Sequence, residues 1–131
     1  MLDCLILGDS IAQGISIVRK ECTAYVQSGI NSRNWNNRYI VNNLSADTVI
    51  ISLGTNDPDS VNTFKELLML RKLVLGKKVF WIMPPIKPAV QDMVRIMARN
   101  YKDTILEIPE LSKDKVHPTG RGYKQLAEMT K

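Results

Sequence analysis

Four short polar clusters interrupt a chain that otherwise alternates apolar runs with amphipathic ones. They are Gly8-Asp9-Ser10, Ser28-Gly29-Ile30-Asn31, Gly54-Thr55-Asn56-Asp57 and Asp114-Lys115-Val116-His117. Together they hold the parts that acyl transfer requires: a nucleophile, a base, a group that orients the base, and donors for the oxyanion of a tetrahedral intermediate. Ser10 offers a hydroxyl and, at a helix start, a backbone N–H free to meet an anion. Gly29 offers an N–H with no side chain to screen it, and Asn56 a side-chain NH₂. His117 is the sole histidine, so a His-assisted serine enzyme built from this sequence has no other base. Asp114, three residues earlier, can accept from one ring nitrogen and leave the other facing the serine; Pro118 stiffens the same loop.

Taken singly, each cluster has a plainer reading. Gly8-Asp9-Ser10 is also a strand-to-helix turn with Asp9 or Ser10 as the cap. Gly29 is also a turn glycine and Asn56 a turn residue. A single histidine in a loop is commonly just solvated. What matters is where the clusters fall along the fold.

Leu2 to Leu7 is a near-continuous apolar run closed by Gly8, as in a strand buried on both faces. A helix follows from about Ile11 to Lys20, a second strand from Cys22 to Gln27, and an Asn-diluted helix from Ser32 to Leu44. Thr48 to Leu53 is β-branched and apolar and stops at Gly54. Val61, Phe64, Leu67, Leu68 and Leu75 then form a helical stripe ending at Gly76. Lys78 to Met83 is a fourth strand, ended by Pro84-Pro85, and Val90, Met93, Val94 and Met97 mark another helix. Thr104 to Ile108 is a fifth strand, and Thr119 caps a last helix reaching about Met129. Five strands alternating with helices predict an α/β fold, a doubly wound three-layer αβα sandwich with a parallel sheet, in one domain over residues 1–131. Every polar cluster but the last follows a strand directly, and the last lies between the fifth strand and the closing helix. All four therefore fall on the edge of the sheet where such folds bind ligands.

With these residues placed, the chain resembles the SGNH (GDSL-type) hydrolases, a family of esterases, lipases, thioesterases and carbohydrate acetylesterases. The resemblance rests on GDSIAQG at 8–14, Gly29, GTND at 54–57 and DKVHPTGRGY at 114–123, in order, with FWIMPPI between the last two. It implies a flavodoxin-like sheet of strand order 2-1-3-4-5, with no metal and no cofactor. It further implies Ser10 as nucleophile, His117 as general base and Asp114 as the residue supporting the histidine. The Ser10 N–H, the Gly29 N–H and the Asn56 side chain would form the oxyanion hole. Asp9 and Asp57 lie within the motifs and read as loop scaffolding.

The segments after GTND and after Pro84-Pro85 are short for that family. This predicts a shallow, open site, suited to acetyl-type esters of a bulky alcohol such as a carbohydrate. The competing readings are a thioesterase or lysophospholipase, or a non-catalytic binding module on the same scaffold. Asn31, Arg33, Asn34 and Trp35 read equally as one wall of a sugar site or as a polar helix start with Trp35 packed inward.

Composition narrows the classes further. The formal net charge is +5, but the basic residues are scattered without aromatic interleaving, which gives nucleic-acid binding little support. With 44% hydrophobic and 24% charged residues the composition is that of an ordinary globular protein. No apolar run approaches the roughly 18–20 residues of a membrane span, and the opening Met1-Leu2-Asp3 lacks the basic flank of a signal peptide. The expected partner is a small-molecule or glycan ester, and the expected location a cytoplasm, with export by another route left open. Cys4 and Cys22, both in strand-like segments, are expected to be buried free thiols.

Overall fold

The computed structural model describes residues 2–131. Five strands and five helices alternate along the chain. They are β1 Leu2–Gly8, α1 Ser10–Val18, β2 Thr23–Val26, α2 Ser32–Tyr39, β3 Ala46–Ser52, α3 Thr63–Leu73, β4 Lys78–Ile82, α4 Pro88–Tyr101, β5 Thr104–Leu106 and α5 Gly120–Met129. The strands form one parallel sheet in the order β2-β1-β3-β4-β5. This is the expected α/β sandwich and the expected strand order.

The two faces of the sheet are read directly from alternation along the strands. Leu5, Leu7, Val49, Ile51 and Trp81 pack with Trp35, Leu67, Leu70, Val94 and Met97, beneath α2, α3 and α4. Their neighbours Ile6, Ile50, Phe80 and Ile82 face the other way, onto Ile11, Ala12 and Ile15 of α1 and Leu126 of α5. Because both faces are covered, β1 and β3 show no polar alternation, and this is why they read as continuous apolar runs.

Element boundaries shift by a few residues from the sequence expectation. α2 stops at Tyr39 rather than Leu44, and the Asn42 side chain takes up the Tyr39 carbonyl at 2.9 Å. β3 begins two residues earlier, at Ala46. Val61 and Leu75 fall outside α3, and β5 ends at Leu106.

The cysteine expectation needs correction. Cys4 and Cys22 are joined in a disulfide, their Cα atoms 4.8 Å apart. The cause is register. β1 pairs in parallel with β2 such that Leu5 lies opposite Thr23, which sets the residues one step earlier, Cys4 and Cys22, side by side.

Candidate active site

The chain leaves β1 and sets off for β2 on one side of the sheet, then returns to place β3 on the other side of β1. The C-terminal ends of β1 and β3 therefore flank the point where strand order reverses, the usual crevice of a doubly wound sheet. Ser10 follows β1 and Asn56 follows β3 at that point.

Gly8 ends β1 at φ 144, and a Cβ there would run into the Ser52 carbonyl. Only glycine lets the two strand ends approach so closely. Asp9 then caps α1. Its Oδ1 accepts from the Ile11 N–H at 3.0 Å, the Ala12 N–H at 3.5 Å and the Ser52 hydroxyl at 3.0 Å. With those two N–H groups occupied, the Ser10 N–H at the first position of α1 has no acceptor among the described residues. Asp9 is buried, and burial pushes its carboxyl up to about 6 against the pull of these hydrogen bonds. Its Oδ2 has no hydrogen-bond partner among the described residues.

Asp57 ties together the other two loops. It accepts from the Ser32 N–H at 2.7 Å and the Ser32 hydroxyl at 2.6 Å, and from the Thr63 hydroxyl at 2.7 Å. This fixes the segment carrying Gly29 against the segment carrying Asn56. Gly29 is exposed at φ 77, a left-handed turn position, with open space where a Cβ would stand. Asn56 donates one amide hydrogen to the Ile30 carbonyl at 3.2 Å, which leaves the other free.

The Asp114–His117 loop is held at its base, where the Ser112 N–H donates to the His117 carbonyl at 2.8 Å and Leu111 bridges Pro118. The loop turns at Lys115, with φ 62. Asp114 Oδ2 lies 2.6 Å from His117 Nδ1, and Oδ1 accepts from the Ser112 hydroxyl and the Val116 and His117 N–H groups at 2.8–2.9 Å. The hydrogen bond with His117, followed by those from the two N–H groups and Ser112, holds the Asp114 carboxyl well below the usual carboxylate range. Across the crevice, His117 Nε2 lies 3.0 Å from Ser10 Oγ. With the ring proton on Nδ1, the histidine donates to Asp114 and accepts from the serine.

Ser10, His117 and Asp114 are thus brought together although 107 residues separate the first two. Gly29 and Asn56 lie on loops joined by Asp57 and by the Asn56–Ile30 hydrogen bond. Asp9 and Asp57 do act as scaffolding, each through named donors. Trp35 forms no wall: it is fully buried, its indole N–H donating to the Tyr25 carbonyl at 2.9 Å. Asn31 caps α2 by accepting from the Asn34 N–H at 2.8 Å. Sequence reading missed Ser52, Ser32 and Thr63, the partners of the two scaffolding carboxylates. Ser52 did leave a signal, as the one hydroxyl closing the apolar run Val49–Ile51.

No protein-family model matches the sequence, and no curated protein matches it. Solved structures do. A GDSL-like lipase from Bacteroides thetaiotaomicron superposes with a TM-score of 0.72 at 21% identity, over 97% of this chain and 84% of that one. An inferred acylhydrolase from Bacteroides fragilis superposes with a TM-score of 0.70 at 20% identity, over 97% of this chain and 83% of that one. At this identity the likeness establishes the fold, and the chemistry must be argued from the residues.

Proposed function

We propose that the chain is a serine ester hydrolase of the SGNH type that removes short acyl groups, acetyl foremost, from a bulky alcohol such as a carbohydrate. The observation that carries this is the continuous hydrogen-bonded line from Asp114 through His117 to Ser10, ending at a helix N-terminus with an unused N–H. The two solved relatives, a lipase and an acylhydrolase by name, support ester hydrolysis in general.

In the mechanism, Ser10 Oγ attacks the ester carbonyl as His117 Nε2 takes its proton. The oxyanion is met by the Ser10 and Gly29 N–H groups and the free Asn56 amide hydrogen. Each such donor is typically worth about 2.7–4 kcal/mol in the transition state. Collapse returns the proton from His117 to the departing alcohol oxygen and leaves an acyl-Ser10. Water gives a proton to His117 and its hydroxide to the acyl carbon, and the second collapse frees the acid and restores Ser10. Asp114 remains ionised throughout, as its low carboxyl requires, and stabilises the imidazolium.

Short acyl groups are favoured by exposure. The side chains of His117 and Asp114 are 45% and 50% exposed, so no deep tunnel for a long chain closes over them. The disulfide bears on location. No helix among the described residues is long and apolar enough to cross a membrane. A Cys4–Cys22 bond belongs with oxidising compartments, so we place the protein outside a reducing cytoplasm, against the expectation from the N-terminal sequence.

The test is hydrolysis of 4-nitrophenyl esters from acetyl to long acyl chains by wild type, Ser10→Ala and His117→Ala. Activity peaking at acetyl or butyryl and falling about 10⁴-fold or more in both variants is the expected result. A peak at long chains transfers the reading to a lipase or thioesterase. Inert wild type, or variants equal to it, overturns the assignment in favour of a binding module.

A further inference from the structure

Beside the segment that follows Asn56 lies a groove whose chemistry the reaction above leaves unused. The segment after β3 and the start of α4 enclose about 610 Å³ at the functional edge of the sheet. Pro58, Val61, Val90 and Met93 make it largely apolar, and one cation, Lys87, lines it. Lys87 immediately precedes the helix proline Pro88 and is held at φ 66 and ψ 82, a left-handed conformation that only glycine adopts without strain. In that conformation its Nζ reaches across the groove and donates to the Asp57 carbonyl at 2.7 Å.

The bond to Asp57 uses one of three ammonium hydrogens. Lys87 forms no ion pair with any described carboxylate. The carboxylate of Asp57 is already taken up by Ser32 and Thr63, and Asp59 is exposed at the lip. A partly buried ammonium group with two spare donors and no counter-ion, set among apolar walls, is a site for an anion carried on an apolar body. Asp57 directly follows Asn56, so the lysine is anchored to the loop that carries the proposed oxyanion donor.

We propose that this groove receives the alcohol part of the ester and that Lys87 selects an alcohol bearing a carboxylate, that is, an acylated hydroxy acid or sugar acid. This rests on the esterase reading above, in which the acyl group is too short to fill the groove itself. Lys87 acts on specificity and Asp59 opposes it, since a second negative charge at the lip repels the anion that the lysine attracts.

A matched pair of substrates isolates the charge: 4-acetoxybenzoate and its methyl ester, which present the same acetyl group with and without a carboxylate. The reading is the ratio of kcat/KM for the acid over the methyl ester. Lys87→Met should lower that ratio about fivefold, the scale of a partly solvated ion pair. Lys87→Arg should keep it, and Asp59→Asn should raise it. Binding is read independently of turnover by titrating Ser10→Ala protein with 4-hydroxybenzoate, which should bind more weakly when Lys87→Met is added. Acetyl ester turnover with a ratio unmoved by Lys87→Met overturns the groove proposal and leaves the esterase standing. Benzoate binding that depends on Lys87, in a wild type that cleaves no ester, supports the groove and overturns the esterase.

Discussion

Two aspartates, at opposite edges of the sheet, each accept from a nitrogen side chain, and the two contacts are built for opposite purposes. Asp103, just before β5, grips Arg71 of α3 through bonds of 2.7 and 2.9 Å, with side chains only 3% and 10% exposed. Trp81 donates to the same carboxylate at 2.8 Å, and Arg71 lies over the Tyr101 ring at 4.3 Å. Asp114 and His117 meet at 2.6 Å but are about half exposed. The first pair spans 32 residues and ties a helix to the sheet; the second spans three and closes one loop. A guanidinium never gives up its proton, so burial there is safe and the charges are permanent. The proposed base, His117, has water at hand, and its carboxylate partner is steadied by local N–H donors instead of by the core.

The largest effects should therefore separate cleanly. Asp103→Ala leaves Arg71 buried without its partner and should cost about 3–5 kcal/mol in urea unfolding. Its kcat on 4-nitrophenyl acetate, measured well below the unfolding transition, should stay within about twofold of wild type. Asp114→Ala should do the reverse. Its urea midpoint should fall far less than that of Asp103→Ala, the exposed carboxylate contributing little, while kcat falls about 10²–10⁴-fold because the ring loses the acceptor that fixes its tautomer. Equal stability losses in the two variants would mean that the exposed loop is also structural and that the contrast is false.

The same contrast explains what could be read from the sequence. Asp114 and His117 are legible because they lie three residues apart. Ser10 and His117 are 107 apart, yet both fall at the same edge once strands and helices are assigned, so topology alone brings them into range. Cys4 and Cys22 were misread because the pairing depends on β1–β2 register, and a slip of one residue would have turned the two thiols apart. Arg71 and Asp103 left no trace. Both are ordinary charged residues, and only the packing of α3 against α4, which leads into β5, makes them partners. Lys87 was hidden for a similar reason: its left-handed conformation before Pro88 sends it back to a loop 30 residues away.

Asn56 lies between the two regimes, part-buried and bonded across 26 residues to the Ile30 carbonyl. Asn56→Ala should lower kcat on 4-nitrophenyl acetate about 10²–10³-fold with KM little changed, the mark of a donor that matters in the transition state. A rise in KM with kcat preserved would instead make Asn56 a ground-state contact and remove it from the oxyanion hole.

Asp9 is the third case, a buried carboxylate with no cation at all. Burial raises its carboxyl from 3.8 to about 6, and the hydrogen bonds from Ser52, Ile11 and Ala12 offset this only in part. Below pH 3.8 the folded and unfolded chains both hold this proton. Between 3.8 and about 6 only the folded chain holds it, and above about 6 folding must bury the charge. The contribution of Asp9 to stability therefore falls as pH rises through that window, by at most about 3 kcal/mol for a rise of roughly two units. Asp114 acts with the opposite sign: its carboxyl is held low, so its contribution is present above the ordinary carboxylate range and is lost on acidification. Asp9→Asn keeps an oxygen to cap α1 but carries no charge. Its urea unfolding free energy should lose the decline that wild type shows between the ordinary aspartate value of 3.8 and about 6. If wild type shows no such decline, the carboxylate of Asp9 is solvated after all, and the helix that carries Ser10 is held in the manner of the exposed pair rather than the buried one.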